Sequence, residues 1–173
     1  MYTVNDESVL VRRAMDGDRE AFSDLAGVHW RRLLALARSI AADLEAEDVV
    51  QDGLIKAWKK IRTLKVPEAF GSWLTRIVAN TAIARARRRR FFETLDGVAV
   101  KAAGNSIDAR IDVGRLLVKL APRQRAVLHL TVVEGLTDHE IGEVLGIASS
   151  SVRVHRLRGR RRLSEIARGG NDS

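Results

Sequence analysis

Residues 137–163, TDHEIGEVLGIASSSVRVHRLRGRRRL, impose the tightest constraint on the fold of this chain. Thr137 and Glu140 have the T-x-x-E spacing of a capping box, in which each side chain satisfies a free backbone N–H at a helix start. Gly146 ends that helix and lets the chain reverse. The serines at 149–151 can cap a second helix. The pattern therefore predicts two helices joined by a tight turn.

The second of these helices carries six arginines within residues 153–162. An α-helix fits the major groove of B-DNA, and helix-turn-helix proteins place their second helix there. The side chains that would face base edges are Ser149, Ser150, Arg153, Val154 and Leu157. Arg153 can donate two hydrogen bonds to guanine, whereas Arg158 and the arginines after it suit phosphates. The alternative is a solvated cationic helix, but the capping box and turn before it favour DNA binding.

Helical periodicity also runs through the first half of the chain. The sequence has two prolines and no sustained strict alternation, so we do not expect strands. A first short helix ends near Gly17, and Asp18 and Asp43 can cap the second and third helices. A fourth helix runs out into the arginines of residues 85–90. Trp58, at helical spacing, is predicted in the core.

The helical pattern breaks once and then resumes. Residues 93–110 have no clear period and are predicted to be a linker, flexible near 102–106. Pro122 fits the first turn of another helix, which Gly135 closes. In the arginine-bearing helix, Gly159 would permit close approach of a neighbouring helix. The predicted fold class is all-α: two small helical domains joined by a flexible linker, the C-terminal one a helix-turn-helix.

The distribution of charge restricts the partners. The net charge is +8 and the isoelectric point about 10.7, which indicates a polyanion, nucleic acid first and an acidic membrane surface second. Residues 85–90 carry five arginines, whereas residues 43–52 carry five acidic residues and no basic one. Two cationic blocks and one anionic helix predict at least two partners of different kinds.

Several classes of protein are excluded by composition. The chain has no cysteine, and its four histidines do not have metal-site spacing with carboxylates. It has no nucleophile–base pattern and no phosphate-binding glycine loop. No apolar run approaches the roughly 18 residues of a membrane span, and the N-terminus is too polar for a signal peptide. We therefore expect a cytoplasmic protein that is not an enzyme and that uses no metal or cofactor.

Two segments of the first half have the chemistry of binding surfaces. Residues 46–61, AEDVVQDGLIKAWKKI, form an acidic, amide-bearing helix face that suits an arginine-rich protein surface better than DNA. Residues 70–90, FGSWLTRIVANTAIARARRRR, place aromatic residues beside arginines, the combination that single-stranded or flipped bases need. Phe70 and Trp73 equally fit core positions, and Asn80 can instead satisfy a buried backbone group.

Taken together, five segments resemble the extracytoplasmic-function (ECF) sigma factors, which are RNA polymerase sigma factors of the sigma-70 family. The segments are DGDREAFSDL, AEDVVQDGLIKAW, FGSWLTRIVANTAIARARRR, LAPRQRAVLHL and the helix-turn-helix, in the family's order and spacing. The likeness covers nearly the whole chain. It implies a region 2-like domain at 1–92 for core polymerase binding and for melting and recognising the −10 element. It further implies a linker at 93–110 and a region 4-like domain at 111–173 for the −35 element.

The resemblance also implies partners and residue roles. The clamp helices of the largest polymerase subunit, together with the flap, would be the core contacts, with Asp48, Gln51, Asp52 and Leu54 on this chain. Loop 64–71 would help to open the −10 element and hold an unpaired base. Single-stranded −10 DNA would be bound by Phe70, Trp73, Asn80, Arg85, Arg87 and Arg88. Duplex −35 DNA would be read by Ser149, Ser150, Arg153, Val154, Leu157 and Arg158. An anti-sigma protein is the expected regulator.

The chain departs from the family pattern at four positions. Leu54 stands where a Phe is usual, Gly53 where a larger residue is usual, and Ala84 where an acidic residue is frequent. Arg156 occupies a normally apolar place in the recognition helix. It must therefore either extend its charged head from the inner face or rotate the helix.

Two other functions fit parts of the sequence. One is an autonomous helix-turn-helix regulator with an N-terminal dimerisation or sensor domain. The other is an RNA-binding or antitermination protein that uses the arginine run. The acidic helix face favours the sigma factor over the regulator, because a repressor has no need of Asp48, Gln51 and Asp52.

Overall fold

The computed structural model describes residues 4–41, 46–95 and 116–169, and all regular structure in these ranges is helical. The first half contains α1 (Val4–Met15), α2 (Arg19–Ala41), α3 (Ala46–Lys60) and α4 (Phe70–Leu95), with 3-10 turns at Ile61–Thr63 and Pro67–Ala69. The second half contains α5 (Pro122–Val132), α6 (Asp138–Leu145) and α7 (Ser149–Gly169). The predicted all-α class is confirmed.

The predicted starts of α2 and α5 are confirmed. Asp18 Oδ1 accepts hydrogen bonds from the backbone N–H groups of Glu20 and Ala21, at 3.0 and 3.1 Å. The bond from Ala21, together with the Arg13 guanidinium, lowers the pKa of Asp18. Pro122 occupies the first turn of α5. The cap predicted at Asp43 lies outside the described residues.

The linker predicted at 93–110 is tested only at its first three residues, where it begins too early. Residues 93–95 belong to the last turn of α4, and residues 96–110 lie outside the described part of the chain. Helical structure resumes with a short turn at 116–118 before α5.

The core of the first half lies among α2, α3 and α4, with α1 packed on α2. Its fully buried large side chains include Leu25, Leu33, Leu36, Ile40, Val49, Val50, Phe70 and Leu74. Gly53 allows the close contact of α3 with α4, because a Cβ there would lie 2.7 Å from Val78 Cγ2. A larger residue at position 53 would clash with Val78, which explains the glycine there. Trp58 packs against the core with its ring 5.2 Å from that of Phe22, as predicted.

The second half forms the predicted helix-turn-helix from α6 and α7. The capping box is confirmed, since Glu140 N donates to Thr137 Oγ1 at 3.3 Å and Thr137 N donates to Glu140 Oε2 at 2.8 Å. Gly146 ends α6 in the left-handed region, with φ +66°. The predicted serine cap is wrong. Val152 N bonds to Ala148 O, so Ala148 holds the capping position and the serines form the first turn of α7.

The close helix contact predicted at Gly159 is confirmed. A Cβ at Gly159 would lie 3.1 Å from Leu128 Cδ1 of α5. Val152, about two turns earlier on the same face of α7, is fully buried. These two positions fix the inner side of α7 against the rest of the domain.

The two helical domains pack against each other. α5 contacts α2 and α4, and α6 contacts α4. Arg32 Nε of α2 donates to Glu134 Oε2 at 2.6 Å, and Ser39 Oγ lies 2.7 Å from His129 Nδ1 of α5. Buried apolar residues from both domains form one continuous cluster. The described chain is therefore a closed pair of domains.

Within the described ranges, no helix combines the length and the apolar character that a membrane crossing requires.

Candidate polymerase and nucleic-acid interfaces

The acidic face predicted on α3 is present, but its four residues behave differently. Asp48 and Gln51 are exposed. Asp52 is half-exposed, and its Oδ2 accepts a hydrogen bond from Arg85 Nη2 of α4. Leu54 is partly buried and packs against the core. Asp48 and Gln51 thus face outward, whereas Asp52 joins α3 to α4.

Ile55, which was not among the predicted contact residues, also lies on this acidic face. Its side chain is 54% exposed, although it is a large apolar residue. Residues 48, 51, 52 and 55 follow the i, i+3, i+4, i+7 spacing of one helix face. The spacing was the available signal, but an apolar residue on a helix is ordinarily assigned to the core. Ile55 adds an apolar element to an otherwise polar surface.

The loop between α3 and α4 borders a cavity of about 590 Å³. Lys65 and Val66 from this loop line it, together with Trp73 and Arg76 of α4. The opposite wall comes from the second domain, through Leu136, Glu140, Glu143 and Val144. The segment predicted to hold an unpaired base is therefore faced by α6.

Asn80 lies on the same side of α4 as Trp73 and Arg76. Its Nδ2 donates to Arg76 O at 2.9 Å and to Val144 O of α6 at 3.5 Å. The expected −10 side chain is thus engaged by a backbone carbonyl of the helix-turn-helix. Arg76 was not among the predicted residues, although it stands four positions before Asn80 on the same helix face.

The ring of Phe70 is not exposed to solvent. The predicted contact of Phe70 with −10 DNA is therefore not supported by the structure. The residue is 0% exposed, with its ring 5.6 Å from His29 and 6.0 Å from Trp73. The first turn of α4 directs its apolar side into the core, so Phe70 anchors the helix. Trp73, one turn later, is only partly buried and reaches the cavity.

The arginine run at the end of α4 divides among several contacts. Arg85 bonds to Asp52, and Arg90 Nη1 donates to Leu120 O at 3.2 Å. Arg87 and Arg88 are exposed, and the Arg88 guanidinium lies 5.6 Å from the centre of the Phe92 ring. The run is therefore partly a structural element and partly a cationic surface.

Helix α7, the predicted recognition helix, is open to solvent. Leu157 is 70% exposed and Val154 is 44% exposed, and Ser150, Arg153 and Arg158 are exposed as well. Ser149 is half-buried beneath the turn. This open face carries five of the six side chains predicted to read the −35 element.

The structure decides between the two arrangements expected for Arg156, a charged head extended from the inner face or a rotated helix. Arg156 Nη1 and Nη2 bond to the two carboxylate oxygens of Asp138, the latter at 3.2 Å. Val152 and Gly159 stay buried on either side of it along the helix. The helix has therefore kept its inner face, and the guanidinium is held by an acidic partner.

His129 is the buried titratable group of the domain contact. Burial lowers its pKa, and this effect exceeds the opposing influence of Glu134, whose Oε1 lies 3.8 Å from Nε2. His155 on α7 also has a lowered pKa, through burial and then through Arg123 and Arg158. In residues 4–41, 46–95 and 116–169 there is no group of three or more side chains suited to a metal ion.

Two family models match the chain. Sigma-70 region 2 matches residues 13–92, and Sigma-70 region 4 matches residues 110–163. The ECF RNA polymerase sigma factor SigM of Mycobacterium tuberculosis is 30% identical over 164 residues, covering 92% of this chain and 84% of SigM. The chain belongs to the ECF sigma factors of the sigma-70 family. ECF sigma factors bind core RNA polymerase and promoter DNA, so this member is a transcription initiation factor and the autonomous-regulator alternative is not favoured.

Further relatives agree with this family. SigW of Bacillus subtilis is 27% identical over 177 residues, covering 91% of this chain and 95% of SigW. Among solved structures, CnrH in complex with the cytosolic domain of CnrY has a TM-score of 0.69 at 28% identity, covering 96% of this chain and 99% of that one. The sigma factor RpoE in complex with the anti-sigma factor NepR, from Bartonella quintana, has a TM-score of 0.67 at 27% identity, covering 85% and 96%.

Proposed function

We propose that this ECF sigma factor uses three surfaces, one each for core polymerase, the −10 element and the −35 element. Residues 1–92 carry the first two surfaces, residues 111–173 carry the third, and residues 93–110 are a linker. The observation that carries the proposal is the separation of an acidic face on α3 from an exposed cationic helix α7. An acidic face suits a basic protein surface, and a cationic helix suits DNA.

Core polymerase binds the α3 face through Asp48, Gln51 and Ile55. The first two supply charge and hydrogen-bonding groups, and the exposed Ile55 supplies apolar area beside them. Asp52 contributes by holding Arg85, and thereby α4, in place. Leu54 supports the face from the core side.

The −10 strand binds along α4 through Trp73, Arg76 and Asn80, with Arg87 and Arg88 holding its phosphates. Trp73 offers an aromatic face for a base, and the Asn80 amide offers hydrogen bonds to a base edge. Loop 64–71 completes the site from the α3 side. Phe70 serves this site only by anchoring the start of α4.

The −35 duplex receives α7 in its major groove. Arg153 reads guanine, Val154 and Leu157 make apolar contacts, and Ser150 is placed at the start of the helix. Arg158 holds a phosphate. Strand opening uses binding energy to the separated −10 strand, so the chain performs no covalent chemistry. It works in the cytoplasm, where core polymerase meets the chromosome.

The closed pair of domains must separate when both promoter elements are bound. The two elements lie roughly 25 base pairs apart, or about 85 Å of duplex. A compact chain of this length has a radius of gyration of only about 16 Å. The chain between α4 and 116–118 has 20 residues, enough to span at most about 70 Å. Domain separation on the polymerase therefore follows from the promoter geometry.

An anti-sigma protein controls this chain by keeping it from polymerase. Two of the structural neighbours, CnrH and RpoE, are solved with CnrY and with the anti-sigma factor NepR respectively. Their likeness over most of this chain supports a regulator of the same kind here.

Run-off transcription with core enzyme and a promoter library tests the proposal. Replacing Asp48 and Gln51 with Lys is expected to lower core affinity by more than tenfold, because the charge of the face is reversed. The same variant should bind an isolated −35 duplex as wild type does. Ser23→Lys with Asp24→Lys, an equal charge change at exposed positions of α2, is the matched control. Equal loss in both assays, or no initiation by the wild-type chain, would contradict the proposal.

A further inference from the structure

One arginine of α7 lies on the side of the helix that faces away from DNA. Arg156 follows buried Val152 by four residues and precedes buried Gly159 by three. Its side chain is 28% exposed, whereas that of Arg161 is 81% exposed. Arg156 is therefore separated from the solvent-facing arginines that precede and follow it.

The partner of Arg156 is a single carboxylate on the first helix of the motif. Arg156 Nη1 donates to Asp138 Oδ1, and Arg156 Nη2 donates to Asp138 Oδ2. A two-point contact of this kind fixes the plane of the guanidinium as well as its distance. With 22% of its side chain exposed, Asp138 is as sheltered as its partner.

Asp138 is itself held in place. It is the first residue of α6 and follows the capping residue Thr137, whose capping box with Glu140 fixes the start of the helix. A carboxylate at this position is favoured by the helix dipole. The ion pair thus joins α7 to a well-anchored point rather than to a mobile side chain.

We infer that Arg156 and Asp138 are positioning residues, whose contact, added to the packing of Val152 and Gly159, sets the exact rotation of α7 about its axis and so selects the side chains that face the −35 bases. The inference rests on the proposed reading of the −35 element by α7. Successive residues of a helix are turned by about 100°, so Val154 projects roughly 160° away from Arg156. A rotation by part of one such step would change which of Arg153, Val154 and Leu157 faces the groove floor.

The charge of Arg156 leads to a second, distinguishing expectation. An arginine that contacts a phosphate releases a counterion, and its loss lowers the salt slope of DNA binding by about one. Arg156 is engaged by Asp138, so its removal leaves that slope unchanged. Arg160 is exposed on the same helix and provides the matched control.

The experiment measures initiation by the reconstituted holoenzyme on promoters that differ at single −35 base pairs, together with the salt dependence of duplex binding by the full chain. Asp138→Asn and Arg156→Gln are each expected to reduce discrimination between −35 base pairs by about fivefold. The double variant should lose no more than either single variant. Arg156→Lys, which keeps the charge and the long stem, should be intermediate. Arg160→Ala should lower the salt slope by about one and leave discrimination intact.

Two results would overturn the inference. One is wild-type discrimination in Arg156→Gln with a salt slope lowered by about one, which would make Arg156 a phosphate contact. The other is wild-type discrimination in both Asp138→Asn and Arg156→Lys, the two variants that best preserve shape. Failure of the wild-type holoenzyme to discriminate among −35 sequences would instead contradict the proposed function of α7.

Discussion

The two surfaces proposed to bind DNA in this sigma factor differ in how far they are open to solvent. On α7, Leu157 and Val154 project into solvent. On α4, Asn80 bonds to a carbonyl of α6, and Trp73 and Arg76 line a cavity whose other wall is the second domain. The surface proposed to read the duplex is open. The surface proposed to bind the separated strand borders the second domain, although Arg76 and Asn80 remain exposed.

We infer from this difference that the packing of the chain favours binding of duplex DNA before binding of the separated strand. The open helix can meet duplex DNA without rearrangement. A strand placed between α4 and α6 would require the domains to move apart, and the contacts Arg32–Glu134 and Ser39–His129 hold them together. The two surfaces are thus coupled through one domain contact rather than independent.

Locking the domain contact should produce the largest effect. The chain has no cysteine, so Ser72→Cys with Glu143→Cys places a unique thiol on each wall of the shared cavity. Joining them with a cleavable bifunctional reagent is expected to reduce open-complex formation by more than about 100-fold, because α6 is then held beside the cavity-facing side of α4 and the domains cannot move apart. Affinity for an isolated −35 duplex should change by less than about twofold, because α7 stays exposed.

Cleavage of the reagent is the control for that experiment and should restore initiation. A locked chain that still opens promoters at the wild-type rate would show that the side of α4 facing α6 is not the −10 surface. A locked chain that loses −35 binding as well would show that the two surfaces do not differ in availability.

A change confined to the open surface should have an intermediate effect. Arg153→Ala is expected to cost about 1–3 kcal/mol at one −35 base pair, because a two-bond contact to guanine is lost. Binding of a single-stranded −10 oligonucleotide should be unchanged. The measurement is duplex affinity across all single −35 substitutions. A uniform loss over every sequence would assign Arg153 to a phosphate instead.

Acid should weaken the domain contact, with the smallest effect of the three. Burial lowers the pKa of His129 in the closed chain, so the open chain binds a proton more readily. The closed form is therefore fully favoured above the ordinary histidine pKa of 6.5 and loses stability as the pH falls below it. Ser39 bonds to one ring nitrogen, and Glu134 and Arg32 are the charged groups nearby.

The pH effect is measured as the separation of spin labels at Ser72→Cys and Glu143→Cys between pH 7.5 and pH 5.5. His129→Gln removes the titrating group and should flatten the response. His155, which also has a lowered pKa, lies on α7 and remains in both proteins. An unchanged response in the His129→Gln chain would assign the pH dependence to another group.

Local sequence signals predicted the elements of the fold well. The Asp18 cap and the capping box at Thr137 and Glu140 depend on neighbours within one turn, and both are present. The close contact at Gly159 joins two helices, but the small size of glycine was enough to predict it. The serine cap failed because Ser, which favours both capping and first-turn positions, cannot by itself show where a helix begins.

The candidate site was less predictable because its contacts join distant parts of the chain. Helical spacing could not decide whether Phe70 or Trp73 faces the core, and only packing against His29 settles it. The pairing of Asp52 with Arg85 and of Asn80 with α6 requires the relative placement of separate helices. The sequence showed that Arg156 occupies a normally apolar position, but only the structure shows that Asp138 is its ion-pair partner.

The separation of the two domains on core polymerase can be measured directly. Spin labels at Ser72→Cys and Glu143→Cys should report one short distance in the free chain, since both positions line the same cavity. Addition of core enzyme and a promoter is expected to lengthen that distance by tens of ångströms while transcription starts. A distance that stays short in an initiating complex would contradict the division of promoter recognition between two separated domains.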